Sequence, residues 1–126
     1  MLKKGFKRMV AEANAAITTV TPEDALSMVD QDNVVFLDVR EPGELQENGK
    51  LTGAVHAPRG MLEFQADPDS PYHNADIDGS KKIVVYCATG GRSALSAKTL
   101  VDMGFENVCH IAGGFNAWKE AGNPVN

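Results

Sequence analysis

Two short, unbroken apolar runs constrain this chain most: Val34-Val35-Phe36-Leu37 and Ile83-Val84-Val85-Tyr86. Four consecutive β-branched, aliphatic or aromatic side chains leave no polar face, so each run predicts a strand buried on both sides. Such strands need helices on both faces of their sheet, and the sequence between them supplies helix signals. Thr21-Pro22-Glu23-Asp24 is a helix start, with Thr21 as N-cap, proline in the first turn and an acid at the third position. Glu41 to Asn48 reads as a short helix stopped by Gly49, and residues 59 to 66 as another. A longer helix runs to about Met103, with Ala94, Ala97, Leu100 and Val101 on one face and Gly104 as its stop. Short strands are predicted at Ile17 to Val20, Ala54 to His56 and Asn107 to Ile111, and a last short helix runs from Gly113-Gly114 through Trp118. Residues 67 to 80, rich in Asp, Pro, Ser, Asn and Gly, form a solvated loop. The expected fold class is α/β: a mostly parallel central sheet with helices on both faces, plus an N-terminal helix.

That N-terminal helix is expected over Met1 to about Ala16, as an extension of a domain covering 17–126. Leu2, Phe6, Met9, Val10 and Ala13 share one stripe, opposite Lys3, Lys4, Lys7 and Arg8. A helix packed on its own domain or on a second subunit is the favoured reading, and a membrane-surface helix the alternative.

Bulk properties narrow the function. The length of 126 residues suits one domain, and 43% hydrophobic residues allow a proper core. A net charge of −5 argues against nucleic-acid binding, which wants a basic surface. No stretch reaches the roughly 18 apolar residues of a membrane span. The basic N-terminal residues are followed by no apolar signal-peptide core, so the expected location is cytoplasmic. Two cysteines make no disulfide framework, and neither has a second ligand at a metal-binding interval. No metal or cofactor is expected.

The chemistry concentrates at Cys87. The second apolar run breaks directly into Cys87-Ala88-Thr89-Gly90-Gly91-Arg92 and then a helix. In parallel sheets the working site lies at the carboxyl ends of the strands. A tight glycine-containing loop there can turn its amides inward and, with the helix N-terminus, form an anion site that stabilises a thiolate. Gly90 and Gly91 permit the backbone angles such a loop demands, and Arg92 adds positive charge. Cys109, inside a strand and beside no cation, reads as core, with a resolving thiol as its alternative.

In order along the chain, several segments resemble the rhodanese family over roughly residues 17 to 122. They are Asp38-Val39-Arg40-Glu41-Pro42 with Glu44, Leu51-Thr52-Gly53-Ala54-Val55-His56-Ala57-Pro58, the Cys87 to Arg92 loop with Ser93, and Gly104-Phe105 onward through Ile111-Ala112-Gly113-Gly114-Phe115 to Trp118. Lys50 and Leu51 replace the family's usual histidine and isoleucine. The resemblance implies a single-domain sulfurtransferase enzyme of the thiosulfate type. In it Cys87 takes a sulfane sulfur from a donor such as thiosulfate as a persulfide, and yields it to a thiol or cyanide. A carrier or interaction module loaded by a protein donor is the alternative. The backbone of Ala88, Thr89, Gly90, Gly91 and Arg92 would cradle the transferred sulfur. Four residues separate Cys87 from Arg92, whereas cysteine phosphatases use five, which favours sulfur over phosphate. A phosphatase or arsenate reductase is the third hypothesis.

The resemblance also brings Asp38 and Arg40 near the pocket, although a structural role is favoured, with Asp38 bonding nearby backbone and Arg40 pairing with an acid. His56 is expected to be structural, since a preformed thiolate needs no base. Phe64 and Trp118 fit either core or pocket wall.

Overall fold

A computed structural model describes residues 1–126. Its helices are α1 (Phe6–Ala16), α2 (Pro22–Leu26), α3 (Pro42–Asn48), α4 (Leu62–Ala66), α5 (Gly91–Met103) and α6 (Gly114–Glu120), and its strands are β1 (Thr18–Val20), β2 (Val34–Asp38), β3 (Val55–His56), β4 (Lys82–Tyr86) and β5 (Val108–Ile111). The two apolar runs are β2 and β4, paired along their length at the centre of the sheet. All pairings are parallel, in the order β1-β5-β4-β2-β3.

Side chains alternate across the sheet with period two. Leu37, Ile83, Val85 and Val108 face α4 and α5, where they meet Leu62, Ala66, Ala97 and Leu100. Phe36, Val84, Tyr86, Cys109 and Ile111 face the other way and pack with Ala25 of α2 and Phe115 and Trp118 of α6. Both faces are therefore covered, as the unbroken apolar runs require. The chain leaves β2 for β3 on one side and β4 for β5 on the other, so the strand order reverses between β2 and β4. The crevice at their carboxyl ends is where an open parallel sheet binds ligands.

The expected Thr21 cap starts α2. Thr21 Oγ1 accepts the Asp24 N–H at 3.1 Å. Glu41 and Glu44 form a capping box at the start of α3. Residues 59–66 split into a 3-10 turn at Arg59–Met61 followed by α4.

The expected N-terminal helix is present and packs on α5, but its start and its buried face differ from expectation. It starts at Phe6, with Gly5 before it and no side-chain cap, so Leu2 lies outside it. Of the expected apolar stripe only Ala13 is buried, while Phe6 stays 72% exposed. The small Ala13 lets α1 close on α5, and Phe6 and Val10 instead border a cleft beside the Cys87 loop, with Lys7, Thr89, Gly91, Arg92 and Leu95. No helix is long and apolar enough to cross a membrane.

Candidate active site

Cys87 is the first residue beyond β4, at the centre of the sheet's carboxyl edge. Its Sγ accepts the backbone N–H of Gly90 at 3.1 Å and that of Ser93 at 3.3 Å. The loop turns these donors inward because its carbonyls are engaged on the outside. Phe115 N–H donates to the Cys87 carbonyl at 2.7 Å, and Asn116 N–H to the Ala88 carbonyl at 3.1 Å. The first turn of α6 thus holds the backs of the peptide units whose neighbours face the sulfur. Two glycines make this possible. Gly90 has φ +117, a conformation that favours glycine, and a Cβ on Gly114 would stand 2.5 Å from the Cys87 carbonyl oxygen.

Arg92 does not touch the sulfur. Its two terminal nitrogens donate to the Glu44 carboxylate at 2.7 and 2.8 Å. The guanidinium pulls the Glu44 pKa down to about 2, and the carboxylate in turn holds Arg92 above its ordinary value. The positive charge expected beside Cys87 is present, but it is anchored and partly neutralised.

Asp38 and Arg40 lie together in the core at the end of β2. Arg40 is 1% exposed, and its Nε and Nη2 clasp the Asp38 carboxylate at 3.1 and 2.8 Å. Nη2 also donates to the Gly49 carbonyl, and the guanidinium lies 4.2 Å over the Phe115 ring. Nε and Nη2 are engaged inside the core, and neither side chain borders any of the clefts. Asp38 also accepts the Arg40 backbone N–H. His56 is likewise engaged, its Nε2 donating to the Arg40 carbonyl at 2.7 Å. Trp118 is core, with its Nε1 donating to the Pro124 carbonyl. Phe64 is exposed against Tyr72, away from the loop.

Cys109 lies on the opposite face of the sheet from Cys87. Burial pushes its thiol pKa up, which suits a packed side chain.

Sequence reasoning named Ser93 only as part of the loop's resemblance and gave no role to His110, Asn14 or Thr19. Ser93 Oγ lies 3.5 Å from Cys87 Sγ and 2.9 Å from His110 Nδ1. His110 Nε2 is 3.0 Å from Asn14 Oδ1 of α1 and 3.1 Å from Thr19 Oγ1 of β1. Strand parity was the available signal: His110 alternates with Cys109 and Ile111 and so faces the α5 side, where Cys87 lies.

A parallel α/β domain with a cysteine held by loop amides at the centre of its carboxyl edge defines a class of protein with thiol-dependent chemistry. The model of the rhodanese-like domain matches residues 21–121, and the chain belongs to that family. Thiosulfate sulfurtransferase GlpE of Actinobacillus succinogenes is 33% identical over 113 residues, spanning 87% of this chain and 91% of that one. Among solved structures, a Rhodopseudomonas palustris protein described as of unknown function and a possible tyrosine phosphatase matches with a TM-score of 0.95 and 46% identity, over 100% of this chain and 97% of its own. The polysulfide-sulfur transferase homodimer of Wolinella succinogenes matches with a TM-score of 0.77 and 34% identity, over 96% and 86%. The likeness to the R. palustris structure includes α1, which precedes the family match.

Proposed function

We propose that this protein is a sulfurtransferase and that Cys87 is its nucleophile. The observation that carries the reading is the convergence of the Gly90 and Ser93 N–H groups on Cys87 Sγ. Two backbone donors and the N-terminal end of α5 face the sulfur and would hold negative charge there by hydrogen bonds. With thiosulfate as donor, the thiolate attacks the outer sulfane sulfur. A Cys87–sulfur bond forms as the sulfur–sulfonate bond breaks, and sulfite departs with the electron pair. A thiolate or cyanide acceptor then attacks the terminal sulfur of the persulfide, and Cys87 leaves as thiolate. The cycle is ping-pong and uses no general base on the substrate.

The loop from Ala88 to Arg92 is the proposed cradle for the terminal sulfur. The cleft bordered by Phe6, Lys7, Thr89, Gly91 and Arg92 is the proposed approach for donor and acceptor. We assign residues 1–16 to an extension that helps wall this cleft and 17–126 to the sulfurtransferase domain. Thiosulfate as the donor is supported by the name of the A. succinogenes relative.

Intact-mass measurement after incubation with thiosulfate tests the proposal. A gain of one sulfur atom, lost in Cys87→Ser and discharged by cyanide, is expected. Loading only by a protein persulfide would replace thiosulfate with a partner donor and make the chain a carrier. Turnover of an aryl phosphate without sulfur loading would overturn the reading. The four-residue loop and an Arg92 tied to Glu44 speak against that outcome, because a phosphoryl group needs a wider cradle and a free guanidinium.

A further inference from the structure

A line of hydrogen bonds runs from the Cys87 sulfur through Ser93 and His110 to Asn14, and the sulfur-transfer steps above use no side chain of it beyond Cys87. Its direction follows from chemistry. The Asn14 amide oxygen only accepts, so His110 Nε2 carries a proton and donates to it. Burial lowers the His110 pKa, so the ring is neutral beside a thiol and Nδ1 keeps its lone pair. With that tautomer Nδ1 accepts the Ser93 hydroxyl at 2.9 Å, a shorter contact than the 3.2 Å from the same hydroxyl to the Gly90 carbonyl. The Ser93 oxygen, having given its proton to His110, presents a lone pair to the Cys87 S–H at 3.5 Å.

We propose that His110 is the proton acceptor for Cys87, reached through the Ser93 hydroxyl, and that Asn14 of the N-terminal helix holds the imidazole in the tautomer this requires. The inference rests on Cys87 being the working thiol. When Cys87 ionises, its S–H bond breaks and the proton joins Ser93 Oγ. The original Ser93 proton passes to His110 Nδ1. Every hydrogen bond survives with its sense reversed: Nδ1–H now donates to Ser93 Oγ, and Ser93 O–H donates to the thiolate. The products are a thiolate with three donors, Gly90 N–H, Ser93 N–H and Ser93 O–H, and an imidazolium whose Nε2–H stays on Asn14 and Thr19. No atom enters or leaves and net charge is unchanged. His110 and Asn14 are positioning residues in this scheme, since each acts on the sulfur through its neighbour. The far end of the line reaches solvent: Asn14, Thr19 and His110 border a cleft with Gly90 and Gly113 on the other side of the loop from Lys7 and Arg92.

Few charges compete for this role. On α1, Glu12 is paired with Lys4 and Arg8, and Lys7 borders the other cleft. On α5, Arg92 is paired with Glu44 and Lys98 with Asp102. β1 brings only Thr18, Thr19 and Val20. From β4 the titratable groups are Lys82 at the far end, Tyr86 on the opposite face and Cys87 itself just past the strand, and Cys109 beside His110 points to the opposite face.

The test is the pH dependence of Cys87 alkylation by iodoacetamide, mapped by mass to that residue. His110→Gln keeps a polar side chain that cannot take a proton. Its profile should move to higher pH than wild type, with a rate near pH 6.5 lower by roughly tenfold, one pKa unit. Asn14→Asp, which sets a carboxylate against the imidazolium, should move it lower. In the unmodified wild-type protein, nitrogen NMR should show both His110 ring nitrogens protonated with the thiolate, and only Nε2 protonated once Cys87 is alkylated. Coincident profiles for wild type and His110→Gln, or His110 resonances indifferent to alkylation, would overturn the relay. Sulfur loading by mass separates the two readings. Loading with coincident profiles removes the relay alone, and separated profiles without loading by any donor remove the sulfurtransferase alone.

Discussion

Arg92 gives both of its terminal nitrogens to Glu44, at 2.7 and 2.8 Å, and none to the sulfur of Cys87. The same Glu44 carboxylate accepts the Glu41 N–H that opens α3. One side chain therefore fixes a helix start and restrains the cation nearest the candidate nucleophile. The full charge of Arg92 is not available to the thiolate, and the loop amides and Ser93 carry more of its stabilisation than a cysteine–arginine spacing suggests.

Glu44→Gln should release that charge. Alkylation of Cys87 below neutral pH should then speed up by about threefold, as a nearer positive charge favours an anionic sulfur. Unchanged alkylation kinetics would show that the Arg92 field does not reach the sulfur. The stability effect is smaller and has a definite sign. Because the folded Glu44 pKa is depressed to about 2, the pair's contribution is present above the ordinary carboxylate pKa and is lost as pH falls from about 4.5 toward 2. Both side chains are about a third exposed, so solvent screening holds that contribution below about 1 kcal/mol. Urea melts of wild type and Glu44→Gln should differ at pH 7 and converge near pH 2.

The Asp38–Arg40 pair is buried, and removing one partner strands the other. Asp38→Asn leaves an uncompensated guanidinium over Phe115 and should cost about 3–5 kcal/mol in urea unfolding. Replacing both residues by apolar ones of similar size should recover most of that loss. A double variant as unstable as the single would mean that the pair contributes more than mutual neutralisation. Cys87 alkylation in the folded fraction should be unaffected in either case, because neither residue opens onto the loop.

The legible parts of this structure are the local ones. The strands β2 and β4 announce themselves as unbroken apolar runs, and the loop from Cys87 to Arg92 lies within a single strand–turn–helix. Thr21 and the Glu41–Glu44 box cap their helices across three residues. What stayed hidden depends on pairing across the fold. Asn14 meets His110 from 96 residues away, and Arg92 meets Glu44 from 48. Only the docking of α1 on α5 and the parallel pairing of β4 with β2 and β5 bring those groups together. The stripe on α1 misled because a helix resting on one small residue, Ala13, leaves larger apolar side chains outside. Asp38 and Arg40 were found by resemblance near the right strand end, but strand parity and the covering α6 enclose them.

Cys109 should behave as core. Its thiol is raised by burial and faces away from Cys87, so it should resist alkylation in the native protein and react only on unfolding. Cys109→Ala should cost about 1 kcal/mol, the order of one lost buried group, and leave sulfur loading intact. A disulfide between the two cysteines under mild oxidation would contradict this placement.

Gly114 offers the sharpest test of how the loop is shaped. It has φ +59, and an added Cβ would stand 2.5 Å from the Cys87 carbonyl oxygen and 2.8 Å from the Ala88 carbonyl carbon and oxygen. Those atoms are backbone and cannot swing aside. Gly114→Ala must therefore lift the first turn of α6 off the loop and break the Phe115 and Asn116 hydrogen bonds that turn the amides toward the sulfur. The unfavourable φ alone costs about 1–3 kcal/mol, with the clash added to it. Gly122 is the control. It also has a positive φ, +79, but nothing lies within 4 Å of an added Cβ. Gly122→Ala should show the conformational cost without any change in Cys87 reactivity. Gly114→Ala should lose stability and at least about tenfold in alkylation rate at neutral pH, as the sulfur loses the amides turned toward it. Equal reactivity in the two variants would show that α6 does not shape the anion site.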